Sequence, residues 1–331
     1  MATSLVTGGA GFLGAHLSRE LLSMGHRVVV LDDLSGGFAE NVPAGALLVR
    51  GSVLDHALLA KLFDEHRFDY VYHLAAYAAE GLSHFIRRFN YENNVVGSMN
   101  VLNEAVRIRS KHFVFTSSIA TYGPGKPPLR EDQPLHPEDP YGIAKAAVEQ
   151  DLVCAQRMFG LDYTIFRPHN VYGEFQNIGD RYRNVIGIFM NQIMIGKPLS
   201  IFGDGLQTRA FSYIGDIVGP LARCVEVPGA RNEVFNIGGD IPYTLRQLAE
   251  TVLAVTGAKS ELRFLPARQE VLHAFSDHSK AARVFGDSPG TTLTDGLTKM
   301  WAWAKQHGPR ATSKFTGIEI ERELPAFWRE D

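Results

Sequence analysis

Cysteine is nearly absent: only Cys154 and Cys224 occur in 331 residues. That is too few for a disulfide framework and for a thiolate metal centre. The 12 histidines are scattered rather than grouped, so no metal is expected. Charge of one sign is missing too. Lys and Arg total 33 against 36 Asp and Glu, a formal net charge of −3, which leaves no basic footprint for nucleic acid. No apolar run approaches the ~20 residues of a membrane span, and no charged region precedes an apolar one at the N terminus. Repeats and low-complexity stretches are lacking as well. Together these absences lead us to expect a soluble, cytoplasmic protein. The 45% hydrophobic content suffices for a large core, and the length suggests about two domains.

What is present begins with glycine. Ser4-Leu5-Val6-Thr7 reads as a buried strand, followed by Gly8-Gly9-Ala10-Gly11-Phe12-Leu13-Gly14 and a helical run through Leu22. Such glycines permit a tight turn, close approach of backbone to a pyrophosphate, and close helix–strand packing. The exposed N–H groups of the helix start would hold the phosphates. A second strand, Arg27 to Leu31, ends in Asp32, whose carboxylate suits both hydroxyls of an adenosine ribose and would repel a 2′-phosphate. NAD is therefore expected rather than NADP. A glycine pattern alone often makes only a turn; strand, glycines, helix, strand and acid in this order argue for the nucleotide site.

Short apolar runs then alternate with helical patterns. Tyr70-Val71-Tyr72-His73-Leu74, Phe113-Val114-Phe115 and Tyr163-Thr164-Ile165-Phe166 each follow a helical stretch, which predicts an α/β fold with a doubly wound parallel sheet of Rossmann type. Ligands then lie beyond the carboxyl ends of the strands, where Ala75-Ala76, Ser117-Ser118 and Arg167 to Asn170 should converge. From about residue 170 the pattern loosens into Gly- and Pro-punctuated loops. We expect an NAD-binding domain over 1–168 and a second, smaller α/β domain over 169–331 for substrate, with 211–237 returning to the first.

Tyr141 and Lys145 are one helical turn apart and share a helix face. A nearby ammonium favours phenolate over phenol, and Ser118 offers a hydroxyl to hold a substrate oxygen against that phenol. The three form a proton-transfer device for a sugar or alcohol hydroxyl. By itself the Tyr–Lys spacing describes many ordinary surface pairs; the nucleotide site in the same half gives it weight.

These residues resemble the extended short-chain dehydrogenase/reductase family, specifically its nucleotide-sugar epimerases and dehydratases, over nearly the whole chain. Thr7 to Gly14 resembles its cofactor loop, and His73-Leu74-Ala75-Ala76 its nicotinamide-side strand end. Asn94, in Asn93-Asn94, resembles its cofactor-anchoring asparagine. Ser118, Tyr141 and Lys145 match its catalytic triad, and Arg167-Pro168-His169-Asn170-Val171-Tyr172-Gly173 its Arg-x-x-Asn-x-Tyr-Gly segment. The resemblance implies cofactor contacts from Gly8, Gly11, Phe12, Leu13, Gly14, Asp32, Asp33, Ser52, Val53, Leu74, Ala75, Ala76, Asn94, Tyr141, Lys145 and Pro168. It implies substrate contacts from Ser118, Asn170, Asn184, Val185, Ile201, Phe202, Arg209 and Glu270. Three departures stand out. Ser52 occupies the usual aspartate position facing the adenine, Ala210 replaces an aspartate after Arg209, and Arg268 is displaced by one place, leaving Glu270 as the ribose contact.

Within that family the residues after the serine decide the reaction. Dehydratases resemble Thr-Asp-Glu there, uronate decarboxylases carry a glutamate, and 3,5-epimerising relatives a cysteine. Ser118-Ile119-Ala120-Thr121-Tyr122 offers neither carboxylate nor thiol. The resemblance therefore implies an NAD-dependent UDP-sugar 4-epimerase acting through a 4-keto sugar on a UDP-hexose or UDP-hexuronate. A nucleotide-sugar dehydrogenase, reductase or dehydratase is the alternative, and a silent nucleotide-sensing module a further one. Arg87, Arg88, Arg181 and Arg183 are dense near the expected substrate loops. They read either as a solvated face or as a partner for a sugar carboxylate. Ala274, four residues past Glu270, resembles the position gating the sugar's C2 substituent. Helices around 91–108 and 141–158 resemble the pair that forms the family's homodimer.

Overall fold

The computed structural model describes residues 1–267, 271–287, 290–312 and 314–329. Its strands are β1 Thr3–Thr7, β2 Arg27–Asp32, β3 Leu47–Arg50, β4 Tyr70–His73, β5 His112–Thr116, β6 Asp162–Pro168, β7 Val171–Tyr172, β8 Leu199–Phe202, β9 Thr208–Ala210, β10 Ser212–Tyr213, β11 Glu233–Ile237, β12 Pro242–Thr244, β13 Leu262–Leu265 and β14 His273–Ala274. Seven of them form one sheet in the order β11-β6-β5-β4-β1-β2-β3, and every pairing in it is parallel.

A parallel sheet covered on both faces needs strands that are apolar at every position, and Phe113-Val114-Phe115 is wholly buried. The two-residue period divides those side chains between two cores. Leu5, Val29, Val71, Phe113, Phe115 and Ile165 face α2 (His56–His66), α5 (Gly97–Ile108) and α6 (Pro140–Phe159). Val6, Val28, Val30, Tyr72, Val114 and Phe166 face α1 (Phe12–Ser23), α8 (Ile214–Arg223) and α10 (Ser279–Phe285). Two short helices, α3 (Glu80–Ser83) and α4 (Arg87–Tyr91), with a π-helical turn Glu92–Val96, lead into α5. The expected strands are all present. The structure adds β3 at an edge and β11 beside β6; α8 and β11 thus pack with the first half of the chain.

A third core collects α7 (Val185–Met194), α9 (Leu245–Thr256), α11 (Leu293–His307) and β8 around Phe189, Met190, Ile201, Leu248 and Met300. Near the end, α12 (Ala326–Arg329) sets Trp328 against Leu82 and Ile86. Local chemistry fixes the helix that matters most. The Asp139 carboxylate caps α6 by accepting from Gly142 N at 2.9 Å, Pro140 starts it, and Gly160 at φ +73° ends it, each a residue suited to that end. The order of strand addition reverses between β1 and β4, with β2 and β3 laid to one side and β5 and β6 to the other, the switch point where such folds open a crevice.

Candidate active site

A cleft of about 650 Å³ runs beyond the carboxyl ends of β1, β2, β4, β5 and β6. Its floor is the glycine loop. Gly8 takes φ +70°, and a Cβ there would lie 2.8 Å from Ala75 N. At Gly14 a Cβ would lie 2.2 Å from Gly8 O, so only glycine lets α1 start this close to β1. Gly11 caps α1 without a side-chain acceptor, and no acidic residue occupies the first turn. The first N–H groups of α1 are therefore available to an anion. Asp32 is buried at the end of β2 and accepts from Ala10 N (3.0 Å) and Leu34 N (2.8 Å). Burial raises its carboxyl above the ordinary value, and these bonds partly offset that. Asp33, Ser52 and Val53 line the same end. A glycine cradle, an open helix start and an acid at the second strand fit a dinucleotide.

Further along, Leu74, Ala75 and Ala76 line the wall with Pro168. Behind them a buried relay fixes β4 to α5. Leu74 N and Ala75 N donate to Thr7 Oγ1 (both 3.2 Å), which lies 2.7 Å from His73 Nδ1, and His73 Nε2 lies 2.8 Å from Ser98 Oγ. Burial depresses His73 to about 3. The resemblance singled out Asn94, but the structure puts Asn93 in the cleft lining. Asn94 sits behind it, accepting from Tyr77 N (2.8 Å) and donating to Tyr77 O (3.2 Å) and Asn90 Oδ1 (2.8 Å). Its amide braces the β4–α3 loop from within the π-helical turn, a geometry often found beside functional sites.

Ser118, Tyr141 and Lys145 all line the middle of the cleft. The Ser118 side chain bonds the Tyr141 phenol and also accepts from Ala120 N at 3.1 Å. Lys145 Nζ donates to Thr116 O at 2.7 Å and stands 4.6 Å above the Phe115 ring and 5.8 Å from the Tyr141 ring. Burial lowers the lysine to about 7, opposed by Glu149. The sequence led us to expect the phenol below its ordinary value; here it lies above. Desolvation of the phenolate outweighs the Ser118 bond that lowers it.

One network under the triad was not foreseen. Glu149, a turn beyond Lys145, accepts from Arg167 Nε at 2.9 Å and Nη2 at 2.5 Å, and from the Ser117 hydroxyl. Arg167 also donates to Tyr122 Oη (2.7 Å), which donates to Asn236 Oδ1 (2.8 Å). The four-residue spacing of Lys145 and Glu149 was the available signal.

Toward the second core, Asn170, Asn184, Val185 and Arg209 line the cleft. Asn170 adopts φ +40° and donates to Ala210 O at 3.0 Å. Asn184, at φ +47°, caps α7 through Ile186 N (3.2 Å) and donates to Val171 O. Arg209 donates to Val271 O (2.6 Å) and Leu272 O (3.0 Å), fastening the segment before β14. Two expected contacts fall elsewhere. Ile201 is fully buried in the third core, and Phe202 packs edge-on against Phe327; neither lines the cleft, because β8 pairs with β13. Arg268 and Glu270 lie outside the described residues. Of the four arginines only Arg183 lines the cleft. It is paired with Asp180 at 2.5 Å and lies 5.0 Å over the Tyr77 ring. Arg181 donates to Phe327 O (2.8 Å), while Arg88 sits on the surface near Glu92. Tyr77, Phe89 and Tyr182 complete this end, backed by Phe315 and Trp328. No group of three or more His, Cys, Asp or Glu able to hold a metal occurs among the described residues. No described helix is long and apolar enough to cross a membrane.

Residues 4–238 match the model of the NAD dependent epimerase/dehydratase family. A UDP-glucose 4-epimerase of Mycolicibacterium smegmatis is 34% identical over 305 residues, covering 89% of this chain and 96% of the relative. The structure of a Thermotoga maritima UDP-glucose 4-epimerase with UDP-glucose superposes with a TM-score of 0.87 at 34% identity, covering 92% and 99% of the two chains. That of a Bacillus cereus UDP-glucuronic acid 4-epimerase with UDP-glucuronic acid and NAD gives 0.84 at 29%, with the same coverage. On sequence, fold and cleft alike, the chain belongs to the NAD-dependent epimerase/dehydratase family.

Proposed function

We propose that the protein is an NAD-dependent UDP-sugar 4-epimerase. The carrying observation is that Ser118, Tyr141 and Lys145 meet in the cleft floored by the glycine loop, while the segment after Ser118 brings no second acid–base pair. Ile119 and Tyr122 are core there, and the Thr121 hydroxyl is spent on Ser118 O (2.8 Å). The glycine loop, the start of α1, Asp32 and the Leu74–Ala76 wall hold the dinucleotide, with the 1–168 segment as its domain. A nicotinamide there supplies an acceptor, and then a donor, for the C4 hydride. Tyr141 takes the proton of the C4 hydroxyl and later returns it; Ser118 holds that oxygen in line; the Lys145 charge favours the phenolate. Residues 169–331 carry the nucleotide sugar, with Asn170, Asn184, Val185 and Arg209 as its contacts. With no carboxylate or thiol in the segment after Ser118 to divert it, the keto sugar is reduced again, and reduction on the opposite face inverts C4.

UDP-glucose and UDP-galactose are the substrates this cleft favours. Its arginine at the sugar end, Arg183, already has Asp180 as counter-ion, so a sugar carboxylate would have to displace that carboxylate. A uronate is the second reading, because Arg183 lies close enough to act electrostatically on Tyr141. A homodimer through α5 and α6 is further proposed, on the exposure of Val96, Ile143, Met158 and Phe159. Incubation with UDP-glucose, UDP-glucuronate and UDP-N-acetylglucosamine, without added NAD, tests the assignment. We expect steady conversion of UDP-glucose to UDP-galactose; NADH accumulating in step with product would instead identify a dehydrogenase.

A further inference from the structure

Behind Asn170 lies a histidine pair that the proposed chemistry does not use. His169 is buried, and its Nδ1 lies 3.0 Å from Ala210 O, the same carbonyl that receives the Asn170 amide. Its Nε2 is 3.0 Å from His278 Nε2, and the rings stack 5.1 Å apart. His278 Nδ1 is 2.5 Å from Asp240 Oδ1, and Ser276 Oγ is 3.0 Å from its Nε2. A Cβ at Gly238 would lie 2.6 Å from His169 Nε2, so backbone closes over the pair.

Proton counting fixes the charge. A carbonyl oxygen and a carboxylate can only accept, so both Nδ1 atoms carry hydrogen. The two Nε2 atoms face each other, and that contact is a bond only if one proton lies between them. The pair therefore holds three protons on four nitrogens, a single positive charge. Burial holds His169 down to about 3, and the bond to His278 keeps the Asp240 carboxyl below its ordinary value. Charged and titratable neighbours are few: Asp277 acts on Asp240, and Arg130 and His278 act on Asp277.

We infer that His278, held by Asp240, is a positioning residue for substrate: through His169 and Ala210 O it fixes the Asn170 amide on the cleft wall. Four segments meet at this node, around 168–170, 210–212, 238–240 and 276–278. The last also forms the Leu129 N to Phe275 O (3.0 Å) and Asp277 N to Leu129 O (2.8 Å) bonds, which tie it to the wall carrying Ala274. Losing the shared proton turns a hydrogen bond into two opposed lone pairs and frees that wall. The arrangement is present at low pH and lost as pH rises. This inference rests on the UDP-sugar reading of the cleft.

The test uses His278→Ala, His278→Gln and Asp240→Asn in the full-length protein, with calorimetric titration of UDP-glucose alongside turnover across pH. Gln places an amide N–H where Nε2–H stands but does not titrate. We expect His278→Ala to weaken UDP-glucose binding and raise KM about tenfold with kcat little changed. The parent's KM should rise in alkali; His278→Gln should restore most of the affinity lost in His278→Ala and abolish that rise. Asp240→Asn should bring that rise to lower pH. Unchanged affinity and KM profile in both His278→Gln and Asp240→Asn would overturn the inference, whatever becomes of the alanine variant. Should the parent bind UDP-glucose but not turn it over, the epimerase reading fails, while the calorimetric arm still decides the role of His278.

Discussion

Changing Glu149 to Gln keeps the shape of a buried side chain and removes its charge. Its partner Arg167 is 4% exposed and cannot turn to water. Its Nε and Nη2 bonds at 2.9 and 2.5 Å would face a neutral amide. Breaking a buried pair from one side costs about 3–5 kcal/mol, because an uncompensated charge is left behind. Unfolding entropy of ~2.1 cal/mol/K per residue gives roughly 0.7 kcal/mol/K for a chain of this length. Glu149→Gln should therefore lower Tm by roughly 4–7 °C in a calorimetric melt. A chemical effect should accompany it. Glu149 is the charge that opposes the fall of Lys145 to about 7. Without it the lysine deprotonates at lower pH, and the alkaline limb of the rate profile should move down. Exchanging both partners, as in Glu149→Leu with Arg167→Met, should cost less stability than the single change, since no charge is then stranded. A Glu149→Gln protein with parental Tm and parental pH profile would refute the reasoning, as would a double variant less stable than the single one.

Other outcomes are expected. Tyr141→Phe keeps the ring and removes the oxygen bonded by Ser118, so turnover should fall about 10²–10⁴-fold while NAD content and melting stay near parental; near-parental turnover would place the proton elsewhere. Acid should destabilise the fold. His73 and His112 are held to about 3 and about 4 by burial, so between those values and about 6.5 the unfolded chain binds more protons than the folded one. Stability should thus fall with decreasing pH near pH 5, with a slope approaching about 2.7 kcal/mol per pH unit from this pair; denaturant midpoints of His73→Gln and His112→Gln should show less of that fall. Ala274 lines the cleft against the Ile119, Tyr122 and Leu129 cluster, and Ala274→Tyr should impair UDP-N-acetylglucosamine by ~1–3 kcal/mol more than UDP-glucose. Equal effects on both sugars would show that Ala274 is no gate.

The parts of the site legible in sequence are those made by neighbours along the chain. Gly8 to Gly14 and Asp32 work through a turn, a helix start and a strand end, and Tyr141 with Lys145 through one helical turn, so spacing was enough to find them. What spacing could not show was how deeply they lie. Burial reverses the expected direction for the Tyr141 phenol, and burial is a property of the assembled sheet and helices. Asn94 and Ile201 have the residue types a ligand contact needs. Yet Asn94 faces the Tyr77 backbone and Ile201 the third core, because a π-helical turn and the β8–β13 pairing set their directions. The arginine and histidine networks join residues far apart in the chain, Arg167 with Tyr122 and Asn236, and His169 with His278. No local period marks such pairs. The same holds for the aromatic wall, where Tyr77 and Phe89 meet Phe315 only through the fold.

The central claim is that the C4 hydrogen leaves the sugar and comes back to it within one cleft. UDP-glucose deuterated at C4, incubated with the purified protein and excess unlabelled NADH in solution, tests this directly. The account predicts UDP-galactose with the deuterium retained at C4 and none in the recovered NADH. Deuterium in the bulk NADH, or UDP-galactose carrying protium at C4, would contradict it.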